Sequence, residues 1–145
     1  MLTGKCLCGD IEFECDINTN PLKIYQCHCT LCKRQSGSSS NSATIIPTTD
    51  FKWIKNDTIK SWQKKTGFSS HFCANCGGPV PNLFTPSPNE KYYWIPVGLL
   101  EGYKDNVKVV ANFCLNSKSS WHQIDSEAEN FAELPEFKKL LELLS

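Results

Sequence analysis

The chain's nine cysteines fall into spaced groups. Cys6 and Cys8 form C-x-C in "GKCLCGD", Cys27, Cys29 and Cys32 form C-x-C-x-x-C in "YQCHCTLC", and Cys73 and Cys76 form C-x-x-C in "FCANCGG". Thiolate is a soft ligand that favours zinc. In an extended segment alternate side chains share a face. Cys6 and Cys8 can therefore point together with Leu7 turned away, and Cys27 and Cys29 together with His28 turned away. A C-x-x-C followed by Gly77 and Gly78 is a zinc-knuckle pattern, because the glycines permit the positive φ that brings two sulfurs toward one ion. Two such half-sites, Cys6 with Cys8 and Cys73 with Cys76, make one closed tetrahedral structural site. That leaves Cys27, Cys29 and Cys32 as a group of three. Three protein ligands and one open position distinguish a catalytic zinc from a structural one. These three are thus both metal ligands and candidate catalytic residues.

Other readings of the same residues exist. Cys73 and Cys76 can be a redox dithiol, although no βαβ pattern surrounds them. The triplet can be a second structural site if His71, Cys114 or His122 brings a fourth ligand; His28 is a poor choice because it faces the other way. Just after the triplet, Lys33 and Arg34 carry positive charge, and Ser36 to Ser40 form a polar loop. Lys33, Arg34, Ser36, Gly37 and Ser38 are therefore candidate substrate-binding residues, offering charge, hydroxyls and backbone N–H groups to substrate carboxylates. The ordinary role of such residues is a solvated turn. His71 and His122 are candidate acid–base groups by their usual pKa near 6.5. Cys15 and Cys114 read as small buried apolar groups inside strands. Trp53, Trp62, Trp94 and Trp121 read as core, with Trp94 and Trp121 also able to line a site.

The elements that must position these groups are mostly strands. In "DIEFECD" Ile11, Phe13 and Cys15 alternate with Glu12 and Glu14, the period of a half-buried strand. "PLKIYQC", "SATIIP", "FKWI", "TIKSWQ", "KYYWIPV" and "VKVVANFCL" are further runs rich in β-branched and aromatic residues. Turn formers separate them: "SGSSSNS", "KND", "KKTG", "TPSPNE" and "EGYKDN". One helix is expected at the end. In "LPEFKKLLELLS" Pro135 is placed to open it, and Leu140, Leu141, Leu143 and Leu144 supply an apolar face. With no repeat and no linker composition, residues 1–145 read as one mainly β domain with a C-terminal helix.

Bulk properties narrow the functional class. A chain of 145 residues with 40% apolar content buries a real core. Fifteen basic residues balance fifteen acidic ones, against a dedicated nucleic-acid binder. The start "MLTGKCLCGD" has no apolar signal region, and no apolar run approaches the roughly 20 residues of a membrane helix. A cytoplasmic protein is expected. In that reducing setting cysteines serve as metal ligands or catalytic thiols before disulfides.

Taken together, "GKCLCGDIEFEC", "CHCTLCKRQSGS", "FCANCGGPV", "IPVGLLEG" and "SKSSWH" resemble, in that order, the glutathione-dependent formaldehyde-activating enzyme family, which also includes the centromere protein V domain. The resemblance runs from about Gly4 to Leu134. It implies a β-tent fold of antiparallel sheets with zinc knuckles. It implies two zinc ions, one structural at Cys6, Cys8, Cys73 and Cys76, and one labile or catalytic at Cys27, Cys29 and Cys32. The implied activity is that of a carbon–sulfur lyase run in reverse: condensation of formaldehyde with glutathione to S-hydroxymethylglutathione. The implied partner is a small-molecule thiol. Two positions depart from the family pattern. Ser70 and His71 stand where an arginine is common before the knuckle, and Asn112 stands near a common histidine. The alternative reading is a non-catalytic zinc module that binds a protein or nucleic acid. A third is a metal-thiolate redox sensor that uses the triplet.

Overall fold

The alternating runs pair as strands because each carries one apolar face. The computed structural model describes residues 1–103, 106–125 and 127–145. Its elements fall into two compact units, the first Met1–Asn18 with Ile45–Lys104 and the second Thr19–Thr44 with Asp105–Ser145. The chain is mainly β, with antiparallel sheets and a C-terminal helix, as its sequence predicts. No helix among the described residues is long and apolar enough to cross a membrane.

In the first unit β1 (Leu2–Lys5), β2 (Glu12–Cys15), β5 (Phe51–Lys55) and β10 (Leu100–Glu101) form a sheet in the order β10-β1-β2-β5. Phe13 and Cys15 point into the core, as the alternation requires. Gly4 lies opposite Phe13, and the ring covers it so closely that a Cβ there would meet ring carbons at 2.2–2.7 Å. Phe13 is fully buried and stacks on Phe51 at 5.2 Å, which in turn stacks on Tyr93 at 3.9 Å. Two hairpins complete the unit: β6 (Ile59–Gln63) with β7 (Ser69–Cys73), and β8 (Asn82–Ser87) with β9 (Glu90–Pro96). Strand β8 takes in the first residues of "TPSPNE", a stretch expected as turn. The turn "EGYKDN" reaches outside the described residues at Lys104 and Asp105.

In the second unit β3 (Leu22–Cys27) lies between β11 (Val107–Phe113) and β4 (Asn41–Pro47), whose first residues belong to this unit. β3 and β4 are antiparallel, with Cys27 opposite Asn41. β3 and β11 are parallel, with Cys27 opposite Phe113 and a bulge between Val109 and Ala111. A parallel pair needs a long connection between its strands, and most of the first unit's sequence separates these two. β12 (Glu129–Asn130) extends the parallel pairing on the far side of β11.

Helix α2 (Phe137–Leu144) packs on β3 and β11 with Leu140 and Leu144 buried. It starts later than its sequence suggested. Glu136 is the cap, in extended conformation, so Pro135 precedes the helix rather than opening it. A second helix, α1 (Thr30–Ser36), was not expected. Two of the four tryptophans read as core are instead exposed, Trp62 at 57% and Trp121 at 68%. Trp62 lies on β6, whose one partner is β7, which leaves much of that strand to solvent.

Candidate metal centres

The first unit gathers Cys6, Cys8, Cys73 and Cys76, with all four sulfurs within 4.8 Å of one another. Two backbone devices bring them together. After β1 the chain turns at Gly9, whose φ is +84°. The Gly9 N–H donates to the Cys6 carbonyl at 3.1 Å, while the Ile11 N–H donates to the Cys6 sulfur at 3.3 Å. At the end of β7 the Gly77 N–H donates to the Cys73 carbonyl at 2.7 Å with φ at +75°. This conformation is cheap for glycine and costs other residues about 1–2 kcal/mol. Bridging the two half-sites, the Cys8 sulfur lies 3.7 Å from both Cys6 and Cys73. Cys6 and Cys73 are buried against Ile11 and Val80, with Trp53 and Ile59 packed around them.

The electrostatics suit a cation. A hydrogen bond with the Thr58 hydroxyl, followed by the amides of Cys76 and Asn75, holds the Cys73 thiol down at about 6. The Gly78 and Cys8 amides lower Cys76. At Cys8 the Asp10 amide pulls downward, but burial and the Cys6 and Cys73 thiols outweigh it and raise the group to about 11. Four sulfurs, each within reach of the others, fit one divalent ion that replaces their protons. Thr58 is a site residue that spacing alone does not reveal, because a threonine beside a knuckle carries no pattern of its own.

The second unit gathers Cys27, Cys29 and Cys32, their sulfurs also within 4.8 Å of one another. Cys27 ends β3 and is buried; Cys29 and Cys32 are half-buried. Helix α1 turns the C-x-x-C into a cup. Cys29 is its N-terminal cap in extended conformation, and its sulfur accepts the Cys32 N–H at 3.3 Å. The Cys27 thiol is raised, first by its hydrogen bond to Cys32 and then by burial. Three soft donors at this spacing fit zinc with one ligand position to spare.

The candidate substrate residues follow on α1 and its end. Lys33 is half-buried, and its Nζ donates to the Ser117 carbonyl at 2.6 Å. Arg34 is exposed. Gly37 caps the helix at φ +65°, and beyond it the chain is fastened rather than loose. The Ser38 N–H donates to the Lys33 carbonyl at 3.3 Å and to the Ser36 hydroxyl at 3.2 Å, and the Ser36 hydroxyl donates to the Ser40 carbonyl at 3.1 Å.

The three named fourth-ligand candidates separate cleanly. His71 lies on β7 in the first unit; burial lowers its pKa. His122 is occupied: its Nδ1 shares a 2.7 Å hydrogen bond with the buried Ser39 hydroxyl, and its ring meets His28 edge-on at 4.6 Å. Burial, then the charges of His28 and Lys118, lower its pKa. Cys114 is not the buried strand residue that the sequence suggested. It follows β11 in left-handed conformation, φ +59°, and is half-buried. Burial first, then the neighbouring Cys27 thiol, push its thiol up to about 12.

His28 behaves as alternation predicts. It turns away from the sulfurs and is fully buried, with Nε2 3.0 Å from the Asn112 oxygen. Asn112 donates in turn to Asn130 at 3.3 Å. The Asn112 side chain is thus spent inside the unit, which explains its presence without any substrate contact. This histidine–asparagine pair escaped the sequence reading. The one available signal was that a residue between two cysteines sharing a face must point to the opposite one.

Residues 1–117 match the model of a family described as glutathione-dependent formaldehyde-activating enzyme. A crystal structure of a Rhodobacter sphaeroides protein is similar in fold, with a TM-score of 0.56 and 24% identity, over 69% of this chain and 88% of that one. No curated protein matches the sequence.

Proposed function

Because the chain belongs to the glutathione-dependent formaldehyde-activating enzyme family, we propose that it is a zinc-dependent carbon–sulfur lyase-type enzyme. It joins a small-molecule thiol such as glutathione to a small aldehyde such as formaldehyde, or runs the reverse. In the forward direction a carbon–sulfur bond forms, the carbonyl electron pair moves to oxygen, and that oxygen takes up a proton equivalent to the one the thiol loses. The observation that carries the reading is the triplet: three sulfurs within 4.8 Å, two of them reachable from solvent.

Cys27, Cys29 and Cys32 would hold one zinc ion, and Cys6, Cys8, Cys73 and Cys76 a second, structural one. The ion at the triplet, when bound, supplies the positive charge that keeps a coordinated substrate sulfur ionised. A free thiol with a pKa of about 8.5 is only a few per cent thiolate at neutral pH, so this increases the reactive form by roughly tenfold or more. The chain's own residues do the rest. The Cys32 N–H fixes the Cys29 side chain at the mouth of the cup. Arg34 and the exposed Ser38 hydroxyl meet the substrate's carboxylates, the bonds within Ser36, Gly37 and Ser38 hold that corner in place, and Lys33 adds charge from its anchored position beside Ser117. Holding thiol and aldehyde side by side contributes more than ionisation does.

Calorimetry with zinc-loaded protein and glutathione tests the reading, with Cys29→Ser alongside and carbon-13 formaldehyde exchange as the turnover assay. Binding and exchange that both disappear in the variant support it. Glutathione binding that survives in Cys29→Ser, or no exchange above the uncatalysed rate in the native protein, overturns it.

A further inference from the structure

Cys114 belongs to no family motif quoted above, yet three features fix its thiol beside the triplet. The parallel register sets Phe113 opposite Cys27, so Cys114 is the next residue beyond the strand end that carries the first ligand. The segment is then tied to the cup from both sides. The His28 N–H donates to the Phe113 carbonyl at 2.9 Å, and Lys33 Nζ donates to the Ser117 carbonyl. Cys114 itself donates its N–H to the Glu133 carbonyl at 3.1 Å and accepts the Ser117 N–H at 3.0 Å. Finally, Cys114 is the non-glycine residue with positive φ among those described. A left-handed backbone costs a side-chain-bearing residue about 1–2 kcal/mol, and glycine or asparagine fills such a position more cheaply. Here it falls on a cysteine, one residue beyond the partner of the first triplet ligand.

We infer that Cys114 is an internal fourth ligand of the triplet's metal ion, closing the site at rest and giving up its place to the substrate thiol. The inference rests on the proposed function. It adds that the site is closed by the chain's own sulfur and opens by exchange. The exchange is balanced: the incoming thiol's S–H bond breaks, an S–H bond forms at Cys114, and the number of thiolates around the ion stays at four. The Cys114 sulfur does not lie within 4.8 Å of all three triplet sulfurs as they stand, so closure needs a side-chain rotation toward Cys29 and Cys32.

Cadmium-113 NMR of cadmium-loaded protein reads the number of sulfurs at each site separately and needs no turnover. The native protein should give two resonances, both in the four-thiolate range. In Cys114→Ala one should stay in place, which reports an intact fold, and the other should move upfield by the step for loss of one thiolate. Adding 2-mercaptoethanol to the variant should return it. Cys114→Ser should behave like Cys114→Ala, so a cavity effect is separable from a ligand effect. A second resonance already in the three-thiolate range in the native protein, or one unmoved by either variant, overturns the inference and leaves the open-site reading standing. A single resonance in native protein and variants alike overturns both.

Discussion

Removing one cysteine from each cluster should have opposite consequences. Cys73→Ser strikes the four-sulfur site, where Cys73 is fully buried against Ile11 and Val80 and bonded to Thr58. A structural zinc contributes about 10–16 kcal/mol in small zinc-folded peptides, against a net domain stability of about 5–15 kcal/mol. Losing one of four thiolates, and with it the ion that ties the two half-sites together, is enough to take most of that margin. Cys29→Ser strikes the mouth of the cup. Its side chain caps a helix of 7 residues and accepts one N–H at 3.3 Å. Serine is itself a good N-terminal cap, so the fold should lose no more than about 1 kcal/mol beyond the share of the labile ion. The assay is metal content by mass spectrometry with thermal melts before and after a chelator. Cys73→Ser should be insoluble or melt far lower and carry less metal. Cys29→Ser should stay folded, keep one ion per chain and be inactive. Equal loss of melting temperature in the two variants would refute the division into a closed and an exchangeable site.

Other expectations follow from particular contacts. Gly4→Ala places a Cβ 2.2 Å from the ring of Phe13, and that ring is held by Phe51; overpacking should cost about 1–3 kcal/mol or more, seen as a lower denaturation midpoint. Leu140→Ala empties a buried position of α2 against β3 and β11 and should cost about 2–5 kcal/mol, with β3, and hence Cys27, loosened in hydrogen exchange. Burial, with the His28 and Lys118 charges behind it, lowers the His122 pKa, so folding disfavours its protonation. The stability linked to keeping this ring neutral is then fully present above the ordinary histidine value near 6.5 and is lost as pH falls below it toward the folded-state value. Melts of the native protein should fall off as pH drops below about 6.5, and the fall should shrink in His122→Gln.

The cysteine groups were legible because their chemistry is written in short-range spacing. Alternation predicts that Cys27 and Cys29 face one way and His28 the other, and C-x-x-C-G-G predicts the knuckle turn. The strands with strong alternation were equally visible. Helix α1 was not, since "TLCKRQS" spans only about two turns and carries no apolar stripe; it exists because Cys29 caps it and Gly37 ends it. Strand β1 hides behind its own glycine, needed for Phe13 rather than for a turn. The parallel pairing of β3 with β11 depends on contacts between residues far apart in the sequence, and no local pattern encodes it. Cys114 was misplaced for the same reason. Its neighbours read as a continuing strand, and only the pairing of Phe113 with Cys27 puts its thiol next to the triplet.

The surroundings of the two clusters explain why similar cysteine spacing serves different ends. Around Cys73 and Cys76 the second layer consists of fixed donors: the Thr58 hydroxyl and the amides of Gly78, Asn75 and Cys8, all of which lower thiol pKa. They neutralise sulfur charge and leave nothing to exchange, which favours permanent occupancy. Around Cys27 the neighbours are other thiols. Cys32 and burial raise it, and Cys27 in turn helps to raise Cys114. The raised Cys27 thiol gives up its proton to a metal ion less readily, whereas two of the four knuckle thiols are lowered, so the triplet should hold its ion less tightly than the knuckle site does. Lability at the triplet then follows from the neighbours of its sulfurs, over and above the exchange at Cys114. A stepwise chelator titration should release one ion per chain well before the other, and the early loss should coincide with loss of glutathione binding.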